Sequence, residues 1–320
     1  MRPAVSVVVP TYNRRAMMRE ALMSVLAQRD VPLELIVVDD GSTDGTFAEL
    51  ETLALSLASA PPGRIRLFRT ANRGVAAARN TGAAQASAPL LAFLDSDDCW
   101  MLDKLTRQTM FMRVNPHYAI CQTQELWLRD GTRVNPGRRH FKRGGDIFLD
   151  SLHTCLVSPS AVMLRTDLFH AMGGFDEAMR AAEDYDLWLR ILITHPIGLL
   201  DETHVIRRAG HPGQLSATIP ALDRFRILTL AKLLCADLTT VRRRAVAQVL
   251  AQKCRIYAKG LRRRDRAREA AFFSMLAARA EAFQTPAVPA AVIDASLLAA
   301  TRALVVHANP TSHDCAALSC

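Results

Sequence analysis

Hydrophobic positions along the chain follow two regimes. Val5-Ser6-Val7-Val8-Val9, stopped by Pro10, and Leu33-Glu34-Leu35-Ile36-Val37-Val38, stopped by Asp39-Asp40-Gly41-Ser42, are short, nearly continuous apolar runs rich in β-branched residues. Runs of this kind are expected of strands buried on both faces, as in a parallel sheet. Between them, Met17, Met18, Ala21, Leu22, Val25 and Leu26 recur at the spacing of an amphipathic helix. Strand, helix and strand in such close succession form a βαβ unit with parallel, right-handedly joined strands. The alternation continues through a helix from Asp44 to Leu57, with its exit at Pro61-Pro62-Gly63, and a strand at Ile65–Phe68. An Ala-rich helix from Val75 to Ala86 and a strand at Leu90–Leu94 complete it. The pattern predicts an α/β fold with a doubly wound sheet flanked by helices.

Beyond residue 98 the pattern loosens. It predicts a helix over Leu102–Val114, a strand over Tyr118–Leu128 turning at Asp130-Gly131, a strand over Ser160–Arg165 and a short helix over Asp167–Met172. A further helix over Glu183–Thr194 presents Leu187, Trp188 and Ile191 on one face, while Arg133–Arg143 is basic, interrupted by Gly and Pro, and has no assignable period. From about residue 221 the chain reads as helical: Leu222–Ala236, Thr240–Gly260 and Arg264–Phe283, then Pro286 and Pro289 and a weakly patterned terminal segment. The expected organisation is a domain over 1–220, with halves at about 1–98 and 99–220, followed by a helical appendage over 221–320.

Composition narrows the class. The seven cysteines are scattered, odd in number and contain no CxxC pair, which argues against a zinc site or disulfide framework and for a reducing compartment. No apolar run reaches the roughly 18 residues that span a bilayer. Met1-Arg2-Pro3 leads directly into a strand-like run, so no signal peptide is read and a cytoplasmic protein is expected. Charge is uneven: residues 1–215 balance 24 basic against 24 acidic side chains, whereas 216–320 carry 16 against 7. Within 241–268 eleven basic residues face the single acid Asp265.

Candidate chemistry lies at the strand ends, because ligands of a doubly wound sheet bind outside the carboxyl ends of its strands. That rule puts Thr11-Tyr12-Asn13, Asp39-Asp40, Asn72-Arg73-Gly74 and Asp95-Ser96-Asp97 on one rim. Two carboxylates at i and i+2, Asp95 and Asp97, can converge on a hard divalent cation. The alternative is an acidic turn capping the next helix, a role assigned here to Asp98. The first strand is followed by Pro-Thr-Tyr-Asn-Arg-Arg, which lacks the GxGxxG glycines, and no Walker A sequence is present. Any bound phosphates then need a metal and a basic side chain. Arg79, on the helix leading to the acidic loop, is the candidate, against the plain alternative of a solvated helix-face arginine.

Four stretches, Val7–Arg14, Ile36–Asp44, Asn72–Asn80 and Phe93–Asp98, resemble the successive signatures of family-2 glycosyltransferases, in that family's order. Gly173-Gly174-Phe175-Asp176 and Glu183-Asp184-Tyr185-Asp186-Leu187-Trp188 continue the match, so the resemblance covers roughly 4–215. It implies a GT-A fold, Rossmann-like with a mixed sheet, and inverting transfer of a sugar from a nucleoside-diphosphate donor, UDP in the first instance. By the same resemblance Thr11, Tyr12 and Asp40 line the nucleobase pocket with Asp39 close by, and a carboxylate there can accept the N3–H of uracil. Arg79 faces the base or diphosphate, Asp95 contacts the ribose and adjoins the metal, and Asp97 holds Mg²⁺ or Mn²⁺. Asp184 is implied as the general base, with Glu183 the second choice; both also suit a helix N-terminus, where acids are stabilising. His211 corresponds to a loop histidine that in some members reaches the metal or diphosphate. Trp100, Trp127 and Trp188 are candidates for an acceptor platform, with packing the expected fate of at least two.

A saccharide or lipid-linked acceptor in cell-surface glycan assembly follows from the resemblance. Two rivals stand beside it: a catalytically silent nucleotide-sugar-binding or assembly protein, and a sugar-phosphate nucleotidyltransferase, whose glycine-rich loop after the first strand is missing. The basic stretch 241–268 is read first as a solvated helical face and second as a peripheral contact with anionic membrane. Nucleic acid is disfavoured because no aromatic residues interleave the charge.

Overall fold

Residues 5–11 and 33–39 carry no exposed side chain, so both strands must be covered on both sides. The computed structural model, which describes residues 2–57, 65–135, 137, 140–211, 213–214, 218–282 and 293–306, provides those covers. Strands β1 (Val5–Thr11), β2 (Leu33–Asp39), β3 (Ile65–Arg69) and β4 (Leu90–Phe93) alternate with helices α1 (Arg15–Leu26), α2 (Thr46–Ser56) and α3 (Val75–Ala84). All four strands are parallel, in the order β3-β2-β1-β4. Val5, Val7, Val9, Leu35 and Val37 face Met18, Leu22, Val25, Leu50 and Leu53 of α1 and α2. The opposite face carries Val8 and Val38, against which Gly82 of α3 is pressed. A Cβ on Gly82 would lie 2.4 Å from Val8 Cγ1, so only glycine lets the helix approach this closely.

The second half of the sheet is mixed. β5 (Cys99–Trp100) and α4 (Lys104–Val114) lead to β6 (Ile120–Arg129) and β7 (Thr132–Val134); then come α5 (Phe148–Ser151), β8 (Val162–Arg165), α6 (Thr166–Ala171), α7 (Glu183–Leu192) and β9 (Gly198–Ala209). Among the described residues one sheet runs β3-β2-β1-β4-β8-β6-β9-β5, with β7 paired to β6. β8 is antiparallel to β4 and β6, whereas β9 is parallel to β6, so the carboxyl ends of β4, β6 and β9 share one direction. Three of these strands, β5, β7 and β9, have no counterpart in the sequence expectation. β9 carries Asp201, Glu202, His204, Arg207 and Arg208, which hid its alternation.

Among the described residues four helices follow: α8 (Asp223–Leu234), α9 (Thr240–Arg262), α10 (Ala267–Ala282) and α11 (Ala295–Val306), the last falling in the stretch read as weakly patterned. The Pro61-Pro62-Gly63 exit and the Pro286 and Pro289 break lie outside the described residues. The chain divides into two units: residues 1–147, 154–177 and 194–212, and residues 148–153, 178–193 and 213–320. The second has its own core, in which Phe225, Leu228, Leu250 and Phe273 are buried. Much of the basic run is occupied within it. Arg243 donates to the carbonyls of Leu234 and Ala236, Lys253 pairs with Asp223, Arg255 with Glu281 and Arg266 with Glu269. Arg244, Lys259, Arg263 and Arg268 are exposed. No helix among the described residues is long and apolar enough to cross a membrane.

Candidate nucleotide-sugar site

The parallel register aligns Thr11 with Asp39, so the ends of β1 and β2 present their side chains next to each other. Both are buried, and both hold a polar atom without a partner among the described residues: Thr11 Oγ1 and Asp39 Oδ1. A buried polar atom left unpaired costs about 1–3 kcal/mol, a deficit that a bound hydrogen-bonding ligand removes. Asp39 is fixed through its other oxygen, which accepts from the Ser42 N–H at 3.1 Å and lies 3.4 Å from Arg69 Nε. Tyr12, beside them, is 45% exposed, an aromatic ring open to whatever occupies the rim.

Asp40 stands differently. Its Oδ1 accepts from the Arg73 N–H at 2.9 Å and the Thr70 hydroxyl at 3.2 Å, and its Oδ2 accepts from the Gly74 N–H at 2.7 Å. The carboxylate thereby ties the Asn72-Arg73-Gly74 turn, and with it the start of α3, to the end of β2. Gly41 permits this: its φ is 78°, and an added Cβ would meet the Asn72 nitrogen at 2.9 Å.

On α3, Arg79 is 4% exposed and donates to Asp95 Oδ1 at 2.6 Å. It is not a solvated helix-face arginine. Phe175 lies under its guanidinium at 5.2 Å, and Asn80 clips that segment by donating to the Phe175 carbonyl and accepting from the Phe175 N–H, both at 2.9 Å. The Gly-Gly-Phe motif thus supports the arginine from below. At the end of β4, one ligand atom each of Asp95, Asp97 and Asp98 lies within 4.8 Å of the others. His211 Nε2 is 2.9 Å from Asp97 Oδ2, and Arg14 is 3.8 Å from the same oxygen. Burial first and then the Asp95 charge push the Asp97 carboxyl up, against the pull of Arg14 and His211.

Asp98 does not cap α4. It accepts from the Ser160 hydroxyl at 2.7 Å and from the Arg208 N–H at 3.0 Å, struts to residues that sequence distance concealed. Burial, then Asp97 and Asp95, push its carboxyl well above the usual range. Ser160 also accepts from the Asp95 N–H at 3.2 Å, so one hydroxyl sets both ends of the loop. Its own carbonyl accepts from Trp100 Nε1 at 2.8 Å, and Lys104 Nζ sits 4.0 Å over that indole. Ser160, Arg208, Arg14 and Phe175 are the site residues that sequence reasoning left without a role. Arg14 and Phe175 lay inside quoted motifs and Arg208 in the stretch leading to His211, but Ser160 carried no signal. Crowded carboxylates with an imidazole nitrogen beside them form a donor set suited to Mg²⁺ or Mn²⁺, and a cation there would relieve the repulsion that raises Asp97.

Glu183 and Asp184 begin α7 in the second unit. Glu183 is buried, and Asp184 Oδ1 accepts from the Tyr185 N–H at 2.7 Å. Asp186 is held by Arg190 at 2.9 Å and Lys232 at 2.6 Å, an ion cluster internal to that unit. Of the tryptophans, Trp100 and Trp188 are buried, while Trp127 is half-buried on β6.

The motifs at the ends of β1, β2 and β4 and Arg79 on α3 lie within residues 6–173, which match the model of the family described as Glycosyl transferase family 2. An uncharacterized glycosyltransferase of Rickettsia felis is 34% identical over 207 residues, covering 64% of this chain and 33% of the relative. One of Rickettsia typhi is 31% identical over 221 residues, 68% of this chain and 67% of that protein. The putative teichuronic acid biosynthesis glycosyltransferase TuaG of Bacillus subtilis is 38% identical over 135 residues, 42% of this chain and 52% of TuaG. The chain spans about a third of the length of the first two Rickettsia relatives it matches. Among solved structures, S. aureus TarS 1–349 in complex with UDP superposes with a TM-score of 0.65 at 21% identity, over 96% of this chain and 88% of that one. Its complex with UDP-GlcNAc gives 0.64 at 22%, with the same coverage. The likeness extends over nearly the whole chain and establishes the GT-A-like fold, a mixed α/β sheet followed by helices. With the family model running over more than half of the chain, and over all the strand ends just described, the chain belongs to glycosyl transferase family 2.

Proposed function

We propose that this protein transfers a sugar from a nucleoside-diphosphate donor, UDP-linked, to a saccharide or lipid-linked acceptor in cell-surface glycan assembly. The observation that carries the reading is the Arg79–Asp95 pair at 2.6 Å beside the Asp97–His211 pair at 2.9 Å, on the same rim as the unpartnered Thr11 and Asp39 atoms. Uracil offers an N–H flanked by two carbonyls, and a carboxylate next to a hydroxyl complements that edge. Asp39 Oδ1 is the acceptor for the N–H in this reading, Thr11 a donor to a carbonyl, and Tyr12 a stacking face. Asp40 acts through the turn it holds. Asp95 meets the ribose while keeping Arg79 aimed at the diphosphate. Asp97, Asp95 and His211 would hold Mg²⁺ or Mn²⁺, which supplies Lewis-acid stabilisation of charge on the departing nucleoside diphosphate.

Inversion requires a base for the acceptor hydroxyl on the face opposite the leaving group. Asp184 takes that role, with Glu183 as the second choice, a reading supported by the family motif they belong to. The exposed Arg244, Lys259, Arg263 and Arg268 suit a peripheral contact with anionic lipid, each basic residue near such a surface being worth roughly 1 kcal/mol. Release of UDP from UDP-sugars with Mn²⁺, abolished in Asp97→Ala, is the test. Tight UDP binding without turnover of any donor would instead favour a silent nucleotide-sugar-binding protein. Binding to anionic vesicles at low salt, absent at high salt, tests the membrane contact.

A further inference from the structure

β6, β7 and β9, with His140, Phe141 and Lys142, enclose an open-sided cavity of about 450 Å³ in the first unit. Its size falls in the range of small-molecule sites, roughly 300–1,000 Å³. Three rings line it. Trp127 and His140 approach at 5.3 Å between centroids, tilted by 45°, and Phe141 is 51% exposed. Trp127 is a rigid wall: its Nε1 donates to Glu125 Oε2 at 3.0 Å, and Arg207 covers it at 4.8 Å. Glu125 in turn is buried and bonded to Lys142 and Ser158. Burial alone would raise its carboxyl, yet Lys142 and Arg207, with hydrogen bonds from Ser158 and Trp127, hold it at about 2.

Polar atoms fringe the rings. Gln124 donates its amide to Asp201 Oδ1 at 2.7 Å and to the Lys142 carbonyl at 3.3 Å. Its own side-chain oxygen and the second Asp201 oxygen remain acceptors. Arg133, exposed at the same cavity, has no ion pair among the described residues. A fixed aromatic wall, planar amide and carboxylate acceptors, and a cation together match one ligand chemistry. A pyranose packs its C–H face on a ring while its hydroxyls donate to planar acceptors, and an acidic sugar adds a carboxylate for arginine.

We propose that this cavity is a saccharide-binding site, with Trp127 and Phe141 as its platform, Gln124 and Asp201 as hydroxyl acceptors and Arg133 as the contact for an acidic substituent. The inference stands on this cavity's own lining and does not depend on the donor reading of the strand-end rim. The experiment titrates the full chain with triacetylchitotriose and with trigalacturonate, followed by tryptophan fluorescence and saturation-transfer NMR, with UDP binding measured in parallel. At least one trisaccharide is expected to bind saturably, and Trp127→Ala and Phe141→Ala to weaken it by about tenfold or more. Phe141 is exposed, so Phe141→Ala keeps its fold and its affinity for UDP. Arg133→Gln should weaken trigalacturonate and leave chitotriose unchanged. Absence of saturable binding by both trisaccharides, binding retained by both aromatic variants, or displacement of the sugar by UDP alone would each overturn the proposal. A protein that fails to bind UDP but still binds a trisaccharide through Trp127 separates the two readings.

Discussion

Two acidic turns close the ends of β2 and β4, on either side of β1, and treat their carboxylates in different ways. At the end of β2, Asp39 and Asp40 are met by backbone N–H groups of Ser42, Arg73 and Gly74 and by Arg69. At the end of β4, Asp95, Asp97 and Asp98 crowd within 4.8 Å of one another and are met mostly by side chains, Arg79 at Asp95, His211 and Arg14 at Asp97 and Ser160 at Asp98. In each turn one acid is structural: Asp40 fastens the loop before α3, and Asp98 fastens the loop to Ser160 and β9. What differs is the kind of partner. Backbone N–H groups and one arginine meet the first turn, which in the proposed reading faces a neutral base edge. The second packs three carboxylates together, and burial with mutual repulsion pushes Asp97 and Asp98 up, a repulsion that a cation arriving from outside would relieve.

The largest effect that would break this contrast is at Asp97. Asp97→Ala should lower UDP-sugar turnover by about a thousandfold, the scale of losing a transition-state charge stabiliser. UDP affinity in that variant should no longer respond to Mn²⁺. Turnover within tenfold of wild type would remove the second turn from the chemistry.

The first turn is sharpened by treating its two acids separately. Asp39→Asn should weaken UDP by roughly ten- to a hundredfold, since an amide oxygen accepts less strongly and a misoriented NH₂ repels the ligand's N–H. Its melting temperature should stay close to wild type. Asp40→Ala should instead destabilise the fold by about 2–3 kcal/mol by leaving turn N–H groups without their acceptor. If Asp40→Ala proves stable and loses UDP selectively, the division of labour is the reverse of that inferred here.

Ser160→Ala tests the strut of the second turn. Removing the hydroxyl leaves the buried Asp98 carboxylate one donor short, a loss of about 1–3 kcal/mol by denaturant titration. A last effect concerns the support beneath it. Burial pushes the Lys104 ammonium down to about 7, opposed by Cys121. A lysine whose folded pKa lies below its unfolded value binds fewer protons in the native state between those two values. Stability from this group therefore rises with pH from about 7 towards 10. Lys104→Met should be more stable than wild type at pH 7, and thermal melts should show the gap closing as the pH approaches 10. A constant gap would mean that the cation over Trp100, not its burial, governs the site.

How far all this was legible follows from where each signal resides. β1, β2 and β4 announce themselves because burial on both faces forces unbroken apolar runs, and their polar ends mark the rim. β9 escaped because its Asp201, Glu202, Arg207 and Arg208 belong to a partly exposed strand, where charge masks alternation. The acids of the rim could be named from the chain, but not their division into structural and available ones. That division depends on the Gly74 N–H for Asp40, 34 residues away, and on the Arg208 N–H for Asp98, 110 residues away. No local pattern encodes a hydrogen bond between segments so remote. Arg79 was legible as a motif residue, whereas its burial depended on Phe175, brought beneath it by the Asn80 clip.

Gly82 carries a consequence for how the rim can vary. With its α-carbon pressed onto Val8 and Val38, α3 has a single admissible height above the sheet, and Arg79 lies three residues earlier on the same rigid rod. The guanidinium therefore works from a fixed reference point. In the proposed reading, adaptation to a different donor sugar would proceed around that point, through loops such as those bearing Tyr12 and His211, because a side chain larger than hydrogen at residue 82 would lift the helix off its strands.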